Sequence, residues 1–312
     1  MSQSAVLGAG HYLPPLTERV GVVRPIEDPP PGTSELGARA SRAALQAAGL
    51  EPSDVDFIIF ATVNPDVTFP GSACYLQDKL GCGTVGALDV RAQCSGFICA
   101  TSVADQFIRN GQYRRVLVVG AEIHSVWVDY SPAGAELARR FGDGAGAVLL
   151  GPAKGDEGLL AAVFHADGSR HDRFWCEYPA SRQFPTRIMT KNIVAGQHFP
   201  QIDAEDVTAF GREHLPAVVR EVIAKAAIPS ESIDHVVLSH VFPEVAEAAA
   251  RALGLSADRT VIASADYGHL GGAALPLALS EGIQSGRFRR GSVVCLATAG
   301  AGYTWGAALF RL

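Results

Sequence analysis

The stretch "LQAAGLEPSDVDFIIFATVNP" (residues 45–65) reads as a helix end, a polar turn with proline and serine, and a strand apolar on both faces. The same order of parts returns in "IAKAAIPSESIDHVVLSHVFP" (223–243), with Asp56 falling on Asp234 and Pro65 on Pro243. A second pair follows, "FIRNGQYRRVLVVGAE" (107–122) and "GIQSGRFRRGSVVCLATAG" (282–300), each a helix, a glycine stop, a basic turn and a Val-rich strand. Here Gly111 falls on Gly286, a displacement of 175 positions. Strands buried on both faces and alternating with helices imply helices packed on a mostly parallel sheet, and the repetition implies two such halves. The fold class expected is therefore α/β, with two pseudo-duplicated halves. The first half is expected over residues 1–155, a loop-rich connection and pocket cover over 156–205, and the second half over 206–312. The connection contains "HADGSRHDRFWCEYPASRQFP" (165–185). An earlier irregular piece, "RVGVVRPIEDPPPGTSE" (19–35), has consecutive prolines that exclude helix and central strand.

The same displacement carries Cys94, in "ALDVRAQCSGFICAT" (87–101), onto His269, in "ADYGHLGGAALPLAL" (265–279). Both stand on strand-to-helix corners, and two halves packed face to face would bring those corners together. Cys94 begins a helix expected from about Ser95 to Asn110. Unpaired backbone N–H groups and the positive end of the helix dipole there favour the thiolate, which is the nucleophilic form. The competing reading of a free cysteine is a small buried apolar residue. His240 ends the strand "HVVLSH", where a parallel strand delivers its carboxyl end to a crevice. A nucleophile with two converging imidazoles suits acyl transfer, which needs an attacking atom and groups that stabilise an oxyanion. "AGAGYTWG" (299–306) can supply backbone N–H groups to that oxyanion, or can simply turn the chain before the last strand. "FGDGAGAVLL" (141–150) lacks the Lys and Thr of a phosphate loop and runs into a strand, so it reads as packing. Glu244 either orients His240, acts as a base, or offsets a helix dipole. Cys74, Cys82, Cys99, Cys176 and Cys295 read as packing residues.

Composition narrows the class. The 312 residues are 48% hydrophobic and 19% charged, with mean hydropathy +0.16, enough apolar content for a large core. A net charge of −6 and a pI near 5.8 leave no basic footprint for nucleic acid. No apolar run approaches the roughly 18 residues of a membrane span, and the start lacks the pattern of a secretory signal, so no membrane association and a cytoplasmic location are expected. Six cysteines without CxxC spacing suggest neither disulfides nor a metal site.

Taken together, "GAGHYLPP" (8–15), "DVRAQCSGF" (89–97), "VLVVGAE" (116–122), "RFGDGAGAVLL" (140–150), "YGHLGGAALPLAL" (267–279) and "GAGYTWGAAL" (300–309) resemble the β-ketoacyl-acyl-carrier-protein synthase III family of thiolase-fold condensing enzymes. The resemblance implies a thiolase-like fold in αβαβα layers, a homodimer and a site at the junction of the halves. It also implies no tightly bound cofactor, with acyl-CoA or acyl-carrier-protein thioesters as substrates and the carrier protein as partner. Residue by residue, it implies Cys94 as the acyl-accepting nucleophile and His240 as the histidine of the family's His-Gln-Ala-Asn motif. Cys94 and Gly302 would form the oxyanion hole. Phe69 would reach across a dimer to the partner's pocket, and Phe242 would lie in the substrate pocket.

Three departures stand out. The family's asparagine is His269 here, completing a Cys94, His240, His269 set, and a histidine can still donate to an enolate oxygen. "VFPE" replaces Gln-Ala-Asn after His240. No tryptophan precedes Trp127, which removes a stacking platform for coenzyme A and favours delivery by a carrier protein. The reaction implied is a decarboxylative Claisen-type condensation through an acyl-cysteine, in secondary metabolism or at fatty-acid or polyketide initiation. The alternatives are acyl transfer to a small alcohol or amine, and a non-catalytic subunit of a heterodimer.

Overall fold

A computed structural model describes residues 3–15, 31–182, 189–263 and 265–312; most of the proline-rich piece expected at 19–35 lies outside them. In the first half, β1 (Ser4–Tyr12), α1 (Thr33–Ala48), β2 (Phe57–Ala61), α2 (Ser72–Leu80), β3 (Gly86–Val90), α3 (Gly96–Arg109), β4 (Val116–Ile123), the short α4 (Ala135–Ala138) and β5 (Asp143–Pro152) follow in order. Next come β6 (Gly158–Ala166), β7 (Phe174–Trp175), α5 (Thr190–Val194), β8 (Gln201–Ile202), α6 (Ala204–Ala226), β9 (His235–Ser239), α7 (Pro243–Ala252), β10 (Thr260–Ile262), α8 (Ala274–Gln284), β11 (Val293–Gly300) and β12 (Thr304–Arg311).

The duplication read from the sequence is a duplication of topology. One sheet has strand order β1-β5-β4-β2-β3, and the other, read from its far edge, has β6-β12-β11-β9-β10. In each, the three strands after the first helix are parallel, and the closing hairpin strand, β5 or β12, runs against its neighbours. Even the hydrogen bonds repeat. Asp56 accepts the Arg115 N–H at 2.9 Å and Asp234 accepts the Val293 N–H at 2.7 Å, each tying the start of one strand to its parallel neighbour. β6, inside the span expected as the connection, is an edge strand of the second sheet and pairs with β12. Its residues alternate between buried and partly exposed, as an edge strand with one covered face does.

The layers follow from which faces are apolar. Helices α1 and α2 cover the outer face of the first sheet, where Leu36, Leu45 and Leu76 pack on Ile58, Phe60 and Leu117. Helices α6 and α7 cover the second, with Leu215, Val219 and Ala249 on Val236, Leu238 and Cys295. Helices α3 and α8 lie between the sheets, and α8 is apolar nearly all round, with Ala274 to Ser280 all buried. The close approach of α8 to β5 depends on Gly146, since a Cβ there would lie 2.3 Å from the Leu277 backbone nitrogen. The glycines of "FGDGAGAVLL" thus serve packing, and the arrangement is the αβαβα sandwich with the two central helices as its shared filling. No helix among the described residues is long and apolar enough to cross a membrane.

Candidate active site

Both central helices are entered through the same kind of corner. Gln93 and Gly268, one residue before Cys94 and His269, have φ of 49° and 77°, so the chain turns sharply through the left-handed region just before each functional side chain. Glycine does this freely, whereas Gln93 pays about 1 kcal/mol for it. That cost is held in place by hydroxyl ties. Ser95 Oγ donates to Thr304 Oγ1 at 2.8 Å, and Thr304 Oγ1 lies 3.1 Å from the Ala92 and Ala301 carbonyls. The second corner is fixed through the backbone, where His269 N–H donates to the Arg140 carbonyl at 2.6 Å and Gly142 N–H to the His269 carbonyl at 3.0 Å.

The corners meet. Cys94 Sγ lies 3.2 Å from His269 Nε2, across 175 residues of sequence, and both side chains are buried. Space for the sulfur comes from Gly300, where a Cβ would lie 2.3 Å from Sγ. The pair opens onto a chamber of about 280 Å³ lined by Trp127, Phe141, Phe174 and Trp175 on its apolar side and by Gln93, His124 and Gly302 near the sulfur.

Burial reverses the ionisation expected from helix position. The thiol is pushed up to about 12, first by loss of solvent and then by the charge of Glu122, while the N–H groups of Ala301 and of Cys94 itself pull the other way. Burial holds His269 well below the ordinary imidazole value, and the neighbouring His124 and His240 lower it further. The resting pair is therefore thiol and neutral imidazole, in which the sulfur keeps its proton until Nε2 takes it. His269 Nδ1 has no hydrogen-bond partner among the described residues, so either tautomer is open to it.

His240 directly follows β9 and is buried, but its ring is turned to the layer behind the chamber. Nδ1 accepts the Phe242 N–H at 3.1 Å, and the ring also bonds the Val207 backbone in α6. Burial lowers it to about 4. Gly211 makes room for it, a Cβ there falling 2.5 Å from Nε2. Phe242 is buried beneath the Arg140 guanidinium, 4.9 Å from its ring centroid, and is not among the chamber-lining residues. Phe69 projects from the surface, 82% exposed. Glu244 is half exposed and pairs with Arg140 at 3.5 Å, and its charge acts on the His240 ring against the effect of burial. Cys176 lines the chamber and accepts from Trp127 Nε1 at 3.3 Å.

Two residues escaped the sequence reading. His124 donates from Nδ1 to the Gly142 carbonyl at 2.9 Å and stacks on His269, ring centroids 6.2 Å apart. Glu122, fully buried and pushed up to about 8 by that burial, accepts N–H groups of Val63 and Asn64, the Thr62 hydroxyl, and at 3.2 Å the Gly272 N–H, pinning the His269 corner. Glu122 at the end of β4 and His124 one residue past it stand two positions apart, a spacing that places both on one side of the strand.

A duplicated five-layer α/β fold with a buried cysteine and histidine on paired central corners defines a thiolase-fold enzyme. The sequence pattern of 3-oxoacyl-[acyl-carrier-protein] synthase III matches residues 88–168, and that of its C-terminal part matches residues 223–312. The fold matches the 3-oxoacyl-[acyl-carrier-protein] synthase III of Aquifex aeolicus with a TM-score of 0.86 at 28% identity, covering 99% of this chain and 100% of that one. It matches the Pseudomonas aeruginosa enzyme at 0.84 and 28%, covering 99% and 98%. The priming β-ketosynthase of the R1128 polyketide pathway matches at 0.83 and 25%, covering 99% and 96%. The chain belongs to the 3-oxoacyl-[acyl-carrier-protein] synthase III family and is a condensing enzyme of the transferase class.

Proposed function

We propose that the chain is an acyltransferase of the synthase III type that forms a carbon–carbon bond by decarboxylative condensation through an acyl thioester on Cys94. The contact of Cys94 Sγ with His269 Nε2 at 3.2 Å carries this reading. In the first half-reaction the sulfur attacks the carbonyl of an acyl-CoA or acyl-carrier-protein thioester as its proton passes to Nε2. The N–H groups of Cys94 and Gly302 hold the oxyanion. Collapse expels the donor thiolate, which takes the proton from His269, leaving neutral imidazole and acyl-Cys94. In the second, a malonyl-type thioester loses its carboxylate as carbon dioxide. The imidazole N–H of His269 stabilises the enolate oxygen, while His240, bonded to Phe242 and Val207, supports the wall behind it, and the enolate carbon attacks the acyl carbonyl. The Cys94 thiolate leaves and is reprotonated from water. Shortening of the segment that would stack on adenine favours a carrier protein as donor, and the exposed Phe69 fits a homodimer in which it reaches the partner's pocket.

A second reading keeps the acyl-enzyme and hands the acyl group to an alcohol or amine. It is favoured by His269 itself, since an imidazole can deprotonate an acceptor where an amide cannot. The test loads the protein with a butyryl thioester and adds malonyl-CoA labelled in its free carboxyl. Labelled carbon dioxide released in step with a β-ketoacyl product supports condensation. Acyl esters or amides without gas select transfer.

A further inference from the structure

The chamber has a charge character that the proposed reaction does not use. Its described lining holds one guanidinium, Arg91, with His171 beside it, the buried His124 and His269 being held neutral, and no aspartate or glutamate, in a protein whose net charge is −6. Four arginines that adjoin lining residues are ion-paired: Arg170 with Asp206, Arg173 with Asp203, Arg140 with Glu244, and Arg182, which lies over the Trp175 ring, with Glu177. Arg91 has neither a carboxylate nor a hydrogen-bond partner among the described residues. It stands three residues before Cys94, so their Cα atoms lie within about 11 Å of each other by chain length alone. His171 Nδ1 donates to the Gly168 carbonyl, which leaves Nε2 for whatever occupies the chamber.

A guanidinium with no partner among the described residues, beside an aromatic-walled cavity, recognises a planar anion through two parallel hydrogen bonds. We propose that Arg91 binds a carboxylate carried by the substrate, with His171 as a second contact at the rim. That carboxylate belongs either to a dicarboxylic half-thioester loaded on Cys94 or to the second substrate. Holding it on Arg91 stabilises the carboxylate form and so opposes its loss as carbon dioxide. A carboxylate bound there therefore survives into the product, unless it is released from the guanidinium before decarboxylation. The inference rests on acylation of Cys94 as proposed above and adds the chemical class of what is recognised.

The experiment compares wild type, Arg91→Gln and Arg91→Lys with succinyl-CoA and butyryl-CoA, reading the rate of the Cys94 adduct by intact-protein mass, and then titrates malonyl-CoA against the preformed butyryl-enzyme. If the carboxylate is on the acyl unit, Arg91→Gln lowers the succinyl-to-butyryl rate ratio by about tenfold or more, and Arg91→Lys restores part of it. If it is on the second substrate, that ratio holds and the malonyl-CoA concentration for half-maximal rate rises by about tenfold instead. A ratio and a malonyl-CoA dependence both within about twofold of wild type overturn the inference. Wild type that gains no adduct from either thioester overturns the acyl-enzyme reading itself, a different result from adducts formed without discrimination.

Discussion

The two halves are built from one plan, and they differ most where they touch. The end of β4 faces the His269 corner and carries Glu122, whose carboxyl fills the contact and bonds Gly272. The end of β11 faces the Cys94 corner and carries Gly300, which contributes no side chain and leaves the space for the sulfur. The residue before the corner differs in the same way, a strained Gln93 in one half and a relaxed Gly268 in the other. Duplication alone would give two equivalent crevices. A carboxyl in one contact and a vacancy in the other convert them into one braced corner that holds the base and one open corner that holds the nucleophile.

Removing the base breaks the comparison hardest. His269→Ala should slow acylation of Cys94 by about 10²–10⁴-fold, the usual worth of positioned acid–base catalysis, measured as the single-turnover rate of adduct formation. Filling the open corner comes next. Gly300→Ala puts a methyl where Sγ sits, and displacement of the nucleophile should cost about 10²-fold in the same assay while circular dichroism stays that of the folded protein.

The remaining two predictions concern ionisation. His240, at about 4 in the folded protein against 6.5 for a free imidazole, binds its proton more readily when unfolded. Its stabilising contribution is present above pH 6.5 and is lost as pH falls toward 4. Urea unfolding at pH 5 should show about 2 kcal/mol of this loss, absent in His240→Phe. The smallest effect sharpens the role of Glu122. With its carboxyl at about 8, it is uncharged below that pH and burdens the thiol only above it. Glu122→Gln should therefore speed alkylation of Cys94 by iodoacetamide a few-fold at pH 9, with the gain fading below pH 8.

Much of this was legible in sequence because duplication leaves a record that needs no energetics. Asp56 and Asp234 mark the repeat, Gly111 and Gly286 fix its offset, and that offset carries Cys94 onto His269, so the repeat gives the topology and the central pair. The ionisation of Cys94 was not legible. A helix start favours thiolate by a local effect, whereas the burial that outweighs it is set by Gly300 and α8, remote in sequence. His124 and Glu122 were missed since β4 is buried along its whole length, and periodicity does not say which buried face borders a cavity. His240 was placed on the correct strand end, but the direction of its ring depends on Gly211 in α6, a helix-packing detail without a sequence signature.

The central claim is that Cys94 carries the acyl group, and the chamber offers a control in its second thiol, Cys176. Intact-protein and peptide mass spectrometry after incubation with butyryl-CoA should show one butyryl group on Cys94 and none in Cys94→Ala. An adduct that persists in Cys94→Ala, or one that maps to Cys176 in the wild type, would contradict the account.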